Sequence, residues 1–445
     1  MDRAVVLGGS VAGMLAARAL ADFATEVVVV ERDDVSGGPG ARRGVPQGRH
    51  LHGLLVRGLD EIEGAFPGFT AELIAAGAPP GDIGIDCHWH VGGVRKPAVA
   101  GGHGITCTRP FLEWHLRRRL AAVPGVRVVR ARATALTASA GRVAGVLLAG
   151  DDGEDRVPAD LVVDCTGRSS RLDAWLGALG YGPVPERTVA VDLGYATRFF
   201  RRLPDERLAG ALTVMSLPAA GGVQRGAAAF AVEDHRWMVM LSGYAGDRPG
   251  PDPADYAGRL AGDPVESLHH FASHAEPVTD VAVYRFPGSV RRDFDTMRLP
   301  GGLIAAGDAV ASFNPIYGQG MTSAALHAAA LTAYLASGAS PHDPAQGYFQ
   351  HLRKTLDSIW RTSVTEDFRL PHVTGDRPRG LWLSQRVGDL YTRATLRDAD
   401  LHGLFLQVLN LRKEPQSLLR PGTVAKALRA ARRPLPETVA AMPAG

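Results

Sequence analysis

Ala4-Val5-Val6-Leu7-Gly8-Gly9-Ser10-Val11-Ala12-Gly13 opens the chain and decides its architecture. The first four residues are a short apolar run of the kind found in buried parallel strands. Residues 14–21 are helix formers without a breaker, and 26–30 make a second buried strand ending at Glu31-Arg32. Strand, glycine turn, helix, strand and acid, in that order, form a dinucleotide-binding unit. In such a unit Gly8 permits the tight bend, and Ser10 is small enough for a pyrophosphate to approach. Gly13 lets the helix pack closely on the strand. Ser10 stands where the fingerprint has its second glycine. The helix N-terminus offers free N–H groups to the anion, and Glu31 is placed to hold a ribose hydroxyl. This unit alone leaves NAD and FAD equally open.

Working outward, residues 37–47 are rich in Gly, Pro and Arg and read as a loop carrying Arg42 and Arg43. Arginines there either clamp a pyrophosphate or form a solvated basic surface. Thr108-Arg109-Pro110 leads a helix through Leu120, with Pro110 in its first turn. A strand at 126–129, a hairpin at 133–138 and 143–148, and an acidic turn at 151–155 follow. Another buried strand, 161–164, ends in Cys165-Thr166-Gly167. Between 186 and 285 the pattern becomes strand-rich, with runs at 188–195, 211–216, 226–233 and 237–244 and one helix near 254–272. Leu303-Ile304-Ala305-Ala306-Gly307-Asp308 is a further buried strand that delivers an acid. Asn314-Pro315-Ile316-Tyr317-Gly318-Gln319-Gly320-Met321 then opens an Ala-rich helix over 322–335. Asp308 suits a ribityl hydroxyl, and the N–H groups of Gly320 and Met321 suit a ring carbonyl that gains negative charge. Residues 346–445 read as helical, with Thr423 expected to cap a helix whose apolar side includes Val424, Leu428 and Ala431.

Composition limits the alternatives. A chain of 445 residues, 45% hydrophobic and 21% charged, is long enough for more than one core and too apolar to be mostly disordered. Its formal charge of +3 lacks the basic excess of a nucleic-acid binder. The basic balance belongs to residues 401–445, where Arg412, Lys413, Arg420, Lys426, Arg429, Arg432 and Arg433 stand against only Glu414 and Glu437, which leaves the other 400 residues at −2. Three cysteines without a CxxC predict neither a disulfide framework nor a zinc site. No apolar run reaches the roughly 20 residues of a membrane span, and a cytoplasmic setting is expected. The 53 glycines exceed the roughly 7% norm without any period, so they serve particular turns.

The N-terminal unit with Glu31-Arg32, the helix-opening Arg109 and the Gly307-Asp308 … Pro315-x-x-Gly318-x-Gly320 segment together resemble the FAD-dependent aromatic hydroxylase superfamily, the group of para-hydroxybenzoate hydroxylase. The resemblance implies an α/β fold: a Rossmann-like FAD-binding domain of the glutathione-reductase type, an inserted β-rich substrate domain and a helical C-terminal region. The expected parts are 1–185 and 286–345 for FAD, 186–285 for the β-rich domain and 346–445 for the helices. It further implies that Glu31 holds the adenosine ribose and Arg32 lies against the adenine. Arg43, Arg109 and Asp308 would contact the pyrophosphate–ribityl region, and Gly320 and Met321 the pyrimidine edge of the flavin. No metal is expected.

The loop from Arg42 to His52 is similar to the corresponding loop of bacterial polyketide epoxidases. The expected reaction is therefore transfer of one oxygen atom from O2, activated at the flavin C4a carbon, to an apolar polyketide-like substrate by epoxidation or hydroxylation. In this reading the flavin is the reactive group and no side-chain triad is required. Phe313, Tyr317 and the strand from Trp237 to Met240 are candidates for the pocket wall. One departure stands out: the superfamily's Asp-Gly pair, which serves both flavin and NADPH, reads Thr166-Gly167 here, after the strand 161–164. Reducing equivalents would come from NAD(P)H directly or through a partner flavin reductase. The alternative activity is a geranylgeranyl-reductase-type saturase, with the same fold but hydride transfer. A halogenase is disfavoured because Trp-x-Trp-x-Ile-Pro is absent, and a protein that binds FAD or an apolar ligand without catalysis is the remaining class.

Overall fold

The computed structural model describes residues 1–150, 153–219 and 224–435. The strands expected near the N-terminus, in the middle and late in the chain meet in one five-stranded sheet. All five run parallel, in the order Leu303–Ala305, Leu161–Asp164, Arg3–Leu7, Glu26–Glu31, Val126–Arg130. The three central strands are covered on both faces, which is why Ala4 to Leu7 and Val27 to Val30 are continuously apolar instead of alternating. Helix Val11–Leu20 connects the first two strands and packs against helix Gly320–Ala336. Both are rich in Ala, which allows close approach. This is the Rossmann-like arrangement expected from the sequence.

A second sheet of nine strands lies beside it. Its path runs Ala311–Ser312, Ala282–Arg292, Glu186–Arg201, Arg236–Tyr244, Gly226–Val232, Thr213–Leu217, Cys87–Val91, Val94–Arg95, with Thr374–Gly375 pairing Glu186–Arg201 off that path. The Asp234-His235 hairpin forms: Glu233, Asp234 and His235 connect the paired Val232 and Arg236, with Asp234 and His235 at positive φ. Two features were not legible locally. Cys87–Val91 and Val94–Arg95 come from early in the chain, yet extend this sheet, the first by pairing parallel to Thr213–Leu217 and the second by pairing antiparallel to the first. The helix read over 254–272 is instead Pro253–Ala261, Glu266–His269 and His270–Ser273, because Gly262 ends the first and Pro264 prevents its continuation.

The C-terminal part is helical: Gln346–Asp367, Leu381–Thr395, Ala399–Leu409 and Pro421–Ala431. Here the cap expectation is corrected. Arg420 precedes the last helix with Pro421 in its first turn, so Thr423 lies inside it. Ala427 and Ala430 are the buried side, packed with Tyr391, Ala394 and Leu401, whereas Leu428 faces solvent. Small side chains let this helix sit close to Leu381–Thr395, and that contact outweighs the larger apolar residues. Of the expected acidic turn at 151–155, residues 151 and 152 lie outside the described residues, as do 436–445 of the basic tail. Among the described residues no helix is long and apolar enough to cross a membrane.

Candidate active site

The first turn after the opening strand is built by glycines. Gly8 has φ +98°, and a Cβ there would stand 2.6 Å from the Cys165 carbonyl oxygen. A Cβ on Gly13 would come within 1.7 Å of the Gly8 carbonyl oxygen, so the helix rests directly on the turn. The first backbone bond within this helix is from the N–H of Met14 to the Ser10 carbonyl. No side chain caps it, which leaves the N–H groups of Val11, Ala12 and Gly13 pointing out of the turn. Ser10 Oγ is turned away, donating to Glu113 Oε1 (2.6 Å) and accepting from Arg109 Nη2 (2.9 Å).

Four charged side chains cross this turn in alternation. Glu31, at the end of the second strand, accepts from the N–H groups of Gly9 and Asp33, both at 2.9 Å, and from Arg42 at 2.8 Å. Arg42 also reaches Glu113 (3.0 Å), and Glu113 in turn pairs with Arg109 at 2.9 Å. Burial opposes ionisation of Glu113, yet Arg109 and Arg42 hold its carboxyl down at about 2. His52 lies against Arg109 Nη1 (3.3 Å) and the His50 carbonyl (2.8 Å). Burial and the neighbouring Arg109 pull its imidazole down to about 3, so it is neutral at pH 7.

The second glycine motif closes on the first. A Cβ on Gly307 would meet Ala12 Cβ at 2.6 Å, so the strand end carrying Asp308 sits against the uncapped helix turn. Gly307 N–H donates to His327 Nδ1 at 2.8 Å, and burial keeps His327 neutral, at about 4. Burial raises the Asp308 carboxyl against the pull of Arg109 and Arg168. Gly318 turns the chain at φ +67° into helix Gly320–Ala336, which also lacks a side-chain cap. The space where a Gly320 side chain would stand is open. Two uncapped helix N-termini, an acid ending the second strand and an acid beside the first turn are groups that could hold FAD, with phosphates at the start of Val11–Leu20, a ribose hydroxyl at Glu31 and the ribityl chain by Asp308.

Beside the Gly318 turn opens a cavity of about 1140 Å³ between the nine-stranded sheet and the C-terminal helices. Its wall is chiefly apolar, with Trp89, Met215, Phe230, Met240 and Ile316 among its residues, and His52 and Gly53 edge it on the cleft side. At that same end, Asp367 Oδ1 accepts from Asn314 Nδ2 (2.7 Å) and from the Tyr317 hydroxyl (3.0 Å). Its Oδ2 is buried without a partner among the described residues. Burial pushes the Asp367 carboxyl up to about 7, against those two bonds.

The expected residues divide accordingly. Gly8, Ser10, Gly13, Glu31, Arg109 and Asp308 gather at the N-terminal turn, and Gly320 and Met321 begin the second helix. Arg32 and Arg43 are exposed. Arg42, whose role the sequence left open, makes the ion pairs. Tyr317 and Met240 line the cavity, whereas Phe313 and Trp237 are buried in the core. Glu113 was not anticipated, although it stands one helical turn from Arg109, a spacing that favours such a pair. Asp367 and His52 carried no local signal.

The family model for FAD dependent oxidoreductases matches residues 4–174. Protein Rv3254 of Mycobacterium tuberculosis is 36% identical over 422 residues, covering 89% of this chain and 88% of that protein. Among solved structures, the probable FAD-dependent monooxygenase PqsL of Pseudomonas aeruginosa aligns with a TM-score of 0.64 at 18% identity, over 83% of this chain and 97% of that one. The tetrameric form of 2-methyl-3-hydroxypyridine-5-carboxylic acid oxygenase gives 0.61 at 19%, over 93% and 98%. The flavin-dependent brominase Bmp2 gives 0.64 at 13%, over 96% and 92%. At these identities the solved structures establish the shared fold.

Proposed function

Because the chain belongs to the FAD-dependent, aromatic-hydroxylase-like flavoproteins, we propose that it is a monooxygenase that places one oxygen atom of O2 into an apolar, polyketide-like substrate, by epoxidation of an alkene or by hydroxylation. The observation that carries this reading is the large, chiefly apolar cavity opening at the Gly318 turn, directly beside the second helix N-terminus. When bound and reduced, FAD supplies the oxygen-transfer chemistry there.

The chain's own residues bind, orient and keep water out. The N–H groups following Ser10 and the Arg109 guanidinium receive the pyrophosphate, and Glu31 retains room for a ribose hydroxyl on Oε1. The N–H groups of Gly320 and Met321 stabilise negative charge on the ring edge they face. Neutral His52 separates the charged cleft from the cavity without adding a charge of its own. The apolar wall excludes water from the reacting face. The Tyr317 hydroxyl keeps its proton directed at Asp367 Oδ1, so it presents only lone pairs elsewhere.

The reducing equivalents come from NAD(P)H, directly or through a partner flavin reductase. In the turn after Leu161–Asp164, Thr166 is committed to Asp164 through both its N–H (2.9 Å) and its hydroxyl (2.6 Å). Anaerobic mixing with NADPH, with and without an added flavin reductase, separates the two routes. Turnover of a polyene test substrate under labelled oxygen gas tests the reaction itself. One labelled atom per product molecule is expected; a saturated, unlabelled product would reassign the chain to the saturases.

A further inference from the structure

The far end of the cavity holds a buried cation that nothing neutralises. Val94–Arg95 forms the outermost strand of the nine-stranded sheet, and Lys96 follows it, its N–H bonded to the Trp89 carbonyl at 2.8 Å. Lys96 is only 5% exposed and lines the cavity. Its ammonium lies 4.5 Å from the centre of the Phe405 ring, another wall residue. Among the described residues it has no carboxylate partner and no hydrogen-bond acceptor. Acids in the wall are already committed. Asp82 accepts the N–H groups of Gly84, Gly101 and Gly102, and Asp86 pairs with Arg207 at 2.7 Å. Asp357 pairs with Arg291, Glu366 and Asp389 with Arg369, and Glu414 with Lys354.

A buried ammonium held only by an aromatic face is costly unless a ligand brings the opposite charge. Burial lowers its titration to about 8, so it is still mainly charged at pH 7. The strand carrying Tyr244 is four strand steps away in the sheet, about 19 Å at the usual spacing. We infer that the cavity takes a long apolar carboxylic acid, whose carboxylate pairs with the Lys96 ammonium while its chain runs along the sheet toward Tyr244 and Tyr317. This rests on reading the cavity as the substrate site and adds the chemical class of the substrate: an acid recognised at one end and oxidised at a distance from it.

Calorimetric titration of the FAD-loaded full chain with dodecanoate and with dodecan-1-ol, which differ only in the head group, tests it. Dodecanoate is expected to bind at least about tenfold more tightly than the alcohol. Lys96→Met is expected to remove that preference while leaving the alcohol's affinity within about threefold, and Lys96→Arg to keep the preference. Retained flavin in each variant shows that the fold is intact. Equal binding of acid and alcohol, no binding of the acid, or an undiminished preference in Lys96→Met would overturn the inference. A preserved acid preference in an enzyme that incorporates no labelled oxygen would remove the proposed reaction and leave the carboxylate pocket standing.

Discussion

In the dinucleotide cleft, Glu31, Arg42, Glu113 and Arg109 form a chain in which each charge meets the next between 2.8 and 3.0 Å. Lys96, in the wall of the neighbouring cavity, and Asp367, buried beside it, are as deeply buried, yet neither has an ion-pair partner among the described residues. The cleft must present a fixed surface to a cofactor that is itself charged, so its carboxylates and guanidiniums are locked together before anything binds. The cavity must stay dry and accept a ligand; the acids of its wall named above are committed within the protein, and Lys96 keeps unspent bonding capacity. One region holds its charges as structure, and the other keeps the Lys96 ammonium available for recognition.

The strongest way to break the cleft is through its backbone. Gly13→Val places a side chain against the Gly8 carbonyl, a clash that only main-chain movement relieves. A loss of more than about 4 kcal/mol, with loss of bound FAD, is expected. Thermal unfolding and flavin content measure both.

Next in size is Glu113→Gln, which leaves Arg42 and Arg109 buried without their shared carboxylate. The expected destabilisation at pH 7 is about 3 kcal/mol by urea unfolding. Its pH dependence follows from the lowered carboxyl. Glu113 contributes stability above its unfolded value near 4.5, and that contribution is lost as pH falls toward about 2. The gap between wild type and variant therefore narrows as the medium is acidified from pH 5 to pH 3. A constant gap would mean that packing, and not charge, is what the variant removes.

Asp367→Asn should act in the opposite direction. The native carboxyl titrates at about 7, above its unfolded value of 3.8, so the folded protein loses stability as pH rises from about 4 to 7. The amide oxygen can still accept from Asn314 and Tyr317 but carries no charge to desolvate. The variant is expected to be the more stable form at pH 8, by about 3 kcal/mol or less, and to lose this advantage near pH 4. Equal stability at pH 8 would place the Asp367 titration lower.

The smallest effect sharpens the contrast within one loop. Arg43→Ala should change stability by less than about 0.5 kcal/mol and leave FAD retention unaltered, because the side chain is exposed. Arg42→Ala should release FAD, because it strands Glu31 and Glu113 together. FAD dissociation followed by flavin fluorescence distinguishes the two neighbours.

This pair also shows where sequence reading stopped. Arg42 and Arg43 are adjacent, identical and set in an irregular loop, so no periodicity tells which one points inward. Glu113 was within reach, since it lies four residues after Arg109 on a helix whose start the sequence marks with Thr108 and Pro110. The Cys87–Val91 strand was not. Its place is fixed by pairing with Thr213–Leu217, more than a hundred residues later, and its own sequence shows no clean alternation. The last helix failed for a different reason: the reading weighted Leu428, whereas close packing selected Ala427 and Ala430.

By itself the sequence determined the two glycine motifs, the apolar strands that bear them and therefore the parallel sheet and its dinucleotide cleft. Those signals are local, because φ > 0 at a turn, a missing Cβ at a crossing and an unbroken apolar run each act within a few residues. The tertiary structure alone decided which charges are paired and which are solitary. Lys96 is a buried, unneutralised cation only because an early hairpin joins a distant sheet and a C-terminal helix lays Phe405 over it. Asp367 titrates near neutrality only because the end of helix Gln346–Asp367 is buried against Asn314 and Tyr317. Desolvation and pairing depend on every segment that surrounds a group, and no stretch of sequence carries that information alone.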